Sequence, residues 1–186
     1  MTLEDPVKIV INACLTAWGW IGTVGSSKGL LGTTLPVASR DRALAHLVCK
    51  WPSAEEGMLP CFVALYEKLC RYFRGEAVDF RDEVLDTDAA TDFRIRVWET
   101  ARAIPYGQVR SYSWVASQIG VPQGSRAVGQ VMANNPFPIV VPCHRVVGRD
   151  GHLTGFAAGL EMKRRLLELE AVKVTAHRVI LPIAHG

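Results

Sequence analysis

The sequence predicts a two-domain α/β protein, with a small strand-rich α/β domain over residues 1–88, a mostly helical domain over 89–172 and a tail at 173–186. Three observations carry this prediction. Glycine-punctuated β-rich runs fill the early chain, whereas helical stripes of apolar residues dominate its later part. A polar segment, Gly75 to Thr91, holds Asp79, Arg81, Asp82, Glu83, Asp86 and Asp88 between them. The formal charge changes sign at the same place: residues 1–91 carry nine basic and twelve acidic side chains, residues 92–186 twelve and six. At 186 residues, 49% hydrophobic and 21% charged, the chain can bury a core without disulfides. That composition excludes a disordered, collagenous or coiled-coil protein.

Val7–Ala13 and Gly19–Val24 read as two strands joined by a turn, and Gly29–Leu35 is a candidate third. The uncharged run Ile9–Ser27 approaches the length of a membrane span. Asn12, Thr16, Gly19, Gly22, Thr23 and Gly25 interrupt it, and Glu4 and Asp5 precede it with only Lys8, the wrong charge for a signal peptide. No membrane segment is expected, and the chain is read as cytoplasmic. Ser39 caps a helix to Lys50 with Ala43, Leu44, Leu47 and Val48 on one face. Pro60 then opens a helix over Cys61–Arg74 that presents Phe62, Leu65, Leu69 and Phe73. Cys14, Cys49, Cys61 and Cys70 lie in apolar company and read as small core residues. The five cysteines show no C-x-x-C pair or ligand rhythm, so free thiols in a reducing compartment are expected. No metal is expected; Cys14, His46 and Cys49 become ligands only if the fold gathers them.

In the second half, Phe93, Val97, Trp98, Ala101 and Ile104 form a helical stripe ended by Pro105-Tyr106-Gly107. Ser113 is expected to cap a short helix to about Ile119. Gly120-Val121-Pro122 makes a turn, and Gly124 or Ser125 starts a second helix ending near Asn134-Asn135. This is the outline of a helix-turn-helix. Its second helix, Ser125-Arg126-Ala127-Val128-Gly129-Gln130-Val131-Met132, is mostly small and apolar. Such a surface suits close approach to a shallow groove, with Arg126 inserted, better than hydrogen-bond readout of base edges. From Thr100 to Arg149 there is no Asp, Glu or Lys, but Arg102, Arg110, Arg126, Arg145 and Arg149 are present, a charge pattern that fits a polyanion. Trp98, Trp114 and Val115 read as core.

Prolines 136, 138 and 142 enforce an extended path up to Cys143-His144-Arg145. Cys143, beside His144 and near Arg145 and Arg149, sits where thiolate is favoured over thiol. A nucleophile needs a base, and the base an orienting acid, for which Asp150, Glu161, Glu168 and Glu170 are the candidates. Gly159–Glu170 reads as a helix with Leu160, Leu166, Leu167 and Leu169 apolar and Lys163, Arg164 and Arg165 polar. Glu161 pairs with Arg165 on the solvated face beside Glu168. Glu170, at the helix end, either turns inward or remains a surface carboxylate.

Five segments carry a resemblance to the O6-alkylguanine-DNA alkyltransferases, the methylated-DNA-protein-cysteine methyltransferase family. They are Gly107-Gln108-Val109-Arg110-Ser111-Tyr112, Ser125-Arg126-Ala127-Val128-Gly129, Asn134-Asn135-Pro136, Pro142-Cys143-His144-Arg145-Val146-Val147-Gly148 and Lys163–Glu170. They span about Phe93 to Glu170 in the family's order. The resemblance implies a monomeric repair protein that moves an alkyl group from O6 of guanine in double-stranded DNA to its own cysteine, irreversibly, without cofactor, metal, membrane or obligate protein partner. It implies Cys143 as acceptor, His144 as base through a water, Glu170 as the group orienting His144, and Asn135 as the tie between the DNA-binding helix and the active-site loop. Arg126 would fill the space of the flipped base, Tyr112 would contact the lesion and help its flipping, and Ser125, Ala127 and Gly129 would bind DNA with them. The pocket would be walled by Tyr112, Met132, Pro138, Val146, Phe156 and Ala157, with the backbone of Cys143 and Val146 accepting from the guanine amine. Many relatives have Tyr then Ser where this chain has Phe156-Ala157, which removes two hydroxyls. The Ala157 N–H can still face O6 and Phe156 can still stack. Two other classes stand beside this reading: a sensor that binds alkylated bases without removing the group, against which Cys143 argues, and a thiol hydrolase, which needs neither an acid-free face nor Arg126.

Overall fold

The computed structural model describes residues 7–175 and 177–180, and the chain divides into two compact units. The first runs up to Arg74 and includes Asp82–Asp88; the second takes Gly75–Arg81 and the chain from Ala89 onward. Its mixed helix and strand content is that of an α/β protein.

In the first unit β1 (Val10–Thr16), β2 (Gly19–Ser26) and β3 (Gly29–Thr33) form an antiparallel meander. A short β4 (Glu55–Glu56), with no signal in the sequence, pairs parallel with β1 to give the order β3-β2-β1-β4. Strand alternation sends Ile11 and Ala13 to one face, where with Val24 they bury Ala43, Leu44 and Leu47 of α1 (Arg40–Lys50). Each such leucine contributes about 1.5–3 kcal/mol. The Ser39 hydroxyl caps this helix by accepting from the Arg42 amide at 3.3 Å. A Cβ on Gly22 would lie 2.9 Å from the Ala43 carbonyl oxygen, so glycine sets how closely α1 approaches the sheet. Val48, expected on the buried face, is exposed, and the packed stripe narrows to residues 43, 44 and 47. α2 (Pro60–Tyr72) starts on Pro60 and buries Phe62, Leu65, Leu69 and Tyr72.

The cysteines divide by environment. Cys14 is buried, and burial pushes its thiol up to about 12. Cys70 is half-buried, with its sulfur 3.5 Å from the Leu15 carbonyl oxygen. Cys49 and Cys61 are exposed, so the core reading does not hold for them. All five are free. Among the described residues no group of three or more His, Cys, Asp or Glu side chains is placed to hold a metal ion, and no helix is long and apolar enough to cross a membrane.

The second unit opens with residues 75–81, which the composition places before the boundary at 88. They belong here because Arg102 donates to the Phe80 carbonyl at 2.6 Å, Tyr106 donates to the Gly75 carbonyl at 3.0 Å, and Val78 and Phe80 are buried. α3 (Asp92–Arg102), capped by Thr91, buries Val97, Trp98 and Ala101. β5 (Arg110–Ser111) then leads into α4 (Tyr112–Gln118) and α5 (Ser125–Ala133), with a left-handed Gly120 (φ 75°) in the turn between them. Ser111, not Ser113, caps α4: its hydroxyl accepts from the Trp114 amide at 3.0 Å, because the chain leaves β5 at Ser111 in the extended conformation that a cap requires. After a 3₁₀ turn at Cys143–Arg145, β6 (Val146–Val147) pairs parallel with β5. α6 (Leu160–Leu169) follows, and the tail expected at 173–186 contains the antiparallel pair β7 (Val174–Thr175) and β8 (Arg178–Val179). Leu181, Pro182, Ile183 and His185 lie outside the described residues.

Candidate active site

The Cys143-His144-Arg145 turn is the centre of the second unit. The extended path expected through its prolines is broken by a turn at Ile139–Val140, where the Val141 amide donates to the Phe137 carbonyl at 2.8 Å. The Cys143 amide then donates to the Val141 carbonyl at 2.8 Å in a γ-turn, and the Arg145 amide to Pro142 at 2.9 Å and the Val146 amide to Cys143 wind residues 143–145 into 3₁₀ geometry. Cys143 and His144 therefore do not point to opposite faces as neighbours on a strand do. Asn135, just beyond α5, fixes the approach to this turn. Its side-chain amide donates to the Val141 carbonyl at 2.8 Å, and its oxygen accepts from the Phe137 amide at 3.0 Å. Between them the buried Ile139 is held at φ 76°, a conformation costing a β-branched residue about 1–3 kcal/mol.

Among the four candidate carboxylates, Glu170 reaches His144. It caps the C-terminus of α6, is 1% exposed, and lies 2.7 Å from His144 Nε2. Arg145 donates to it through Nε (2.9 and 3.2 Å) and Nη2 (3.0 Å), and the Gly107 amide donates at 3.0 Å. Gly107 adopts φ 73°, and a Cβ there would stand 3.1 Å from the Glu170 carbonyl oxygen, so the Pro105-Tyr106-Gly107 turn needs glycine to deliver that amide. Arg145, read from sequence as part of a phosphate-facing surface, is instead buried, with Nη1 donating to the Ile104 carbonyl at 2.7 Å. The acid-free stretch matters here in a different way: it leaves Glu170 as the carboxylate that neutralises this guanidinium.

Burial by itself would raise the Glu170 carboxyl, but His144 and Arg145 outweigh it and hold the group well below the usual carboxylate range. Burial pushes His144 below its ordinary 6.5, against the pull of Glu170. A neutral imidazole whose Nε2–H donates to an ionised carboxylate carries its lone pair on Nδ1, the tautomer of a base. Both folded-state values lie below those of the unfolded chain. As pH falls below 6.5 the unfolded His144 takes up a proton that the native one does not, so stability declines; below 4.5 Glu170 adds a second loss in the same direction. Melting temperature recorded from neutral pH down through 6.5 and 4.5 should fall throughout, and one that holds or rises just below 6.5 would contradict a neutral buried His144.

Burial also pushes the Cys143 thiol up, with the Asn135 side chain and the Lys163 charge pulling the other way. The expected thiolate-favouring effect of Arg145 and Arg149 is absent as such, because Arg145 faces Glu170 and Arg149 is exposed. The cation beside Cys143 is Lys163, which the sequence reading placed on the polar face of α6. It is buried because it follows Leu160 by three positions and precedes Leu166 and Leu167 by three and four, on the same stripe; that spacing was the signal that could have found it. Its ammonium donates to the Val146 carbonyl at 2.6 Å and the Thr154 carbonyl at 3.0 Å, and lies 3.4 Å from the Tyr112 hydroxyl. Burial pushes it down to about 8. The Tyr112 hydroxyl also donates to Thr154, at 3.2 Å.

The other expected positions lie in the same unit. Met132 and Val146 are buried, Pro138 and Phe156 are half-buried, and Ala157 is exposed on the loop between Leu153 and α6. On α5, Arg126 and Ala127 are exposed and Ser125 half-buried, while a Cβ on Gly129 would touch the Tyr112 ring at 4.0 Å. Glu161 and Glu168 are both bound by Arg164, at 2.6 and 2.8 Å, so the expected Glu161–Arg165 pair is replaced by one a position earlier.

Residues 92–172 match the family model described as 6-O-methylguanine DNA methyltransferase, DNA binding domain. The methylated-DNA–protein-cysteine methyltransferase of Mycolicibacterium paratuberculosis is 49% identical over 154 residues, covering 80% of this chain and 90% of the relative. The one from Mycobacterium tuberculosis is 48% identical over 115 residues, 62% and 68% of the two chains. Among solved structures, Mycobacterium tuberculosis O6-methylguanine methyltransferase superposes with a TM-score of 0.70 at 35% identity, covering 90% of this chain and 96% of that one. Mycobacterium tuberculosis OGT in complex with DNA gives 0.69 at 36% identity, with 87% and 93% covered. The chain belongs to the methylated-DNA–protein-cysteine methyltransferase family.

Proposed function

We propose that this protein repairs DNA by moving an alkyl group from O6 of guanine to the sulfur of Cys143, once per molecule. The observation that supports the residue assignment is the buried His144–Glu170 pair, whose histidine stands in the same turn as Cys143, with Arg145 and Gly107 fixing the carboxylate. His144 Nδ1 takes the thiol proton through a water, the sulfur attacks the alkyl carbon, and the O6–carbon bond breaks. Guanine leaves with the proton given up by the thiol in place of the alkyl group, which returns His144 to its neutral form, and the cysteine becomes a thioether. Nothing in the site reverses a thioether bond, so the reaction is stoichiometric. Lys163 and Tyr112 stand beside the sulfur as cation and hydroxyl. The Val146 carbonyl, though bound to Lys163, retains a second lone pair for the guanine amine.

The alkyl carbon of a stacked base is out of reach of any side chain, so the base must leave the duplex. α4, the Gly120 turn and α5 supply a helix-turn-helix whose small second helix suits the minor groove, with the exposed Arg126 filling the gap. The two units act as a DNA-binding, alkyl-accepting domain and a structural domain. Free cysteines fit a reducing, cytoplasmic setting.

Intact mass after incubation with an oligonucleotide bearing O6-methylguanine, followed by peptide mapping, tests this reading. One methyl on Cys143 is expected; an unchanged mass with tight lesion-selective binding would make the protein a sensor instead. Arg126→Ala should slow transfer from duplex DNA about tenfold or more, since unstacking costs a few kcal/mol, while transfer from free O6-benzylguanine is unaffected. Equal losses in the two assays would remove Arg126 from base extrusion.

A further inference from the structure

The loop Thr154–Gly159 carries Phe156 and Ala157, yet it has little packing of its own. A Cβ added at Gly155 or Gly159 would meet no atom within 4 Å, and Thr154, Ala157 and Ala158 are exposed. Its two ends are held. Leu153 and Leu160 both belong to an apolar cluster with Val109, Val147, Leu167 and Val172, and the hairpin β7–β8 contributes Val174 and the buried Val179 to that cluster. The hairpin also binds the turn before the loop through its backbone. The Leu153 amide donates to His177 at 2.7 Å and the Val179 amide to Gly151 at 2.9 Å, while Arg178 Nε donates to the Asp150 carbonyl at 2.7 Å. The next carbonyl along the chain, that of Thr154, is the shared acceptor of Tyr112 and Lys163.

We propose that the hairpin β7–β8 is a brace for alkyl transfer, with Arg178 and Val179 as positioning residues that hold the Thr154–Gly159 loop in register with Tyr112, Lys163 and Cys143. The proposal rests on the transfer reaction proposed above. The matched family model ends at residue 172, before the brace begins. A loop anchored mainly at its ends, with Phe156 its one half-buried side chain, transmits a shift of Gly151–Leu153 to the Thr154 carbonyl and to the wall that a flipped base would touch. A hairpin bonded to that turn by two backbone hydrogen bonds and one side-chain donor suppresses such a shift.

The test compares wild-type protein with Arg178→Ala, Arg178→Lys and Val179→Ala. Arg178 is exposed, so its replacement leaves the core intact; Val179→Ala loosens the apolar end of the brace. Three quantities are read: the transfer rate at saturating O6-benzylguanine, the rate of Cys143 alkylation by iodoacetamide, and amide exchange over residues 153–159. Both alanine variants should transfer about tenfold more slowly, as expected for a misplaced loop, with faster exchange at 153–159 and iodoacetamide alkylation at the wild-type rate. Arg178→Lys, which keeps a donor, should recover part of the loss. Transfer at the wild-type rate in both alanine variants would overturn the brace, as would a parallel fall in iodoacetamide alkylation, which would put the effect on the cysteine and not on the loop. If wild-type protein transfers no alkyl group while its Cys143 still reacts with iodoacetamide, the transfer reaction itself is refuted and the brace with it.

Discussion

Cys143→Ala protein incubated with a duplex containing O6-methylguanine should show no change in mass and leave the lesion intact, while still binding that duplex. No other sulfur can take over. Cys14 is buried with its thiol pushed up to about 12, and Cys49, Cys61 and Cys70 belong to the other compact unit, which does not contain the His144–Glu170 pair. Removing the nucleophile from a unit of this kind costs on the order of 10⁶-fold, which for a single-turnover reaction means no product. Burial raises the Cys143 thiol, so the proposed transfer would depend on His144 accepting the proton as the carbon–sulfur bond forms. Alanine deletes only the sulfur of a nearly buried side chain, so the melting temperature should change little. Methyl recovered on any other residue would refute the assignment. Loss of lesion binding together with loss of folded structure would make Cys143 a packing residue instead.

Much of this site was legible from local signals. The spacing of Pro142, Cys143 and His144, the small-residue face of α5 and the glycine turn at 120 could be read directly, because each depends on residues close in sequence. The inward turn of Glu170 could not be decided from α6 alone. What buries it is Arg145 from one segment and the Gly107 amide from another, at separations of 25 and 63 residues. Arg145 was misassigned for the same reason: a charge count sees a cation but not the carboxylate that a distant helix end brings to it. Lys163 is a different case, since its spacing from Leu160, Leu166 and Leu167 puts it on the apolar stripe while its charge points to the solvated face. β4 was missed because two consecutive glutamates carry no strand signal and pair with β1 only through their backbone.

Glu170→Gln should be the most damaging isosteric change in the second unit. The carboxylate accepts from His144 Nε2 and from Arg145 Nε and Nη2 out of water, and from the amide of the half-buried Gly107. An amide offers one acceptor oxygen and turns its NH₂ toward donors, so at least one donor loses its partner and the buried guanidinium loses its counter-charge. Removing one side of a buried ion pair costs about 3–5 kcal/mol, a fall in melting temperature of roughly 10 °C or more. The imidazole also loses the charge that fixes its tautomer and stabilises its protonated form, so transfer should slow by about 10²–10⁴-fold even where the protein is folded. Glu168→Gln, the same chemical change two residues earlier, provides the comparison. Its carboxylate is 40% exposed and pairs with Arg164 on the solvated face, where such pairs contribute about 0–1 kcal/mol, so stability and transfer should both stay near wild type. A Glu170→Gln protein matching Glu168→Gln in melting temperature and transfer rate would show that the buried network neither holds this site nor orients its base.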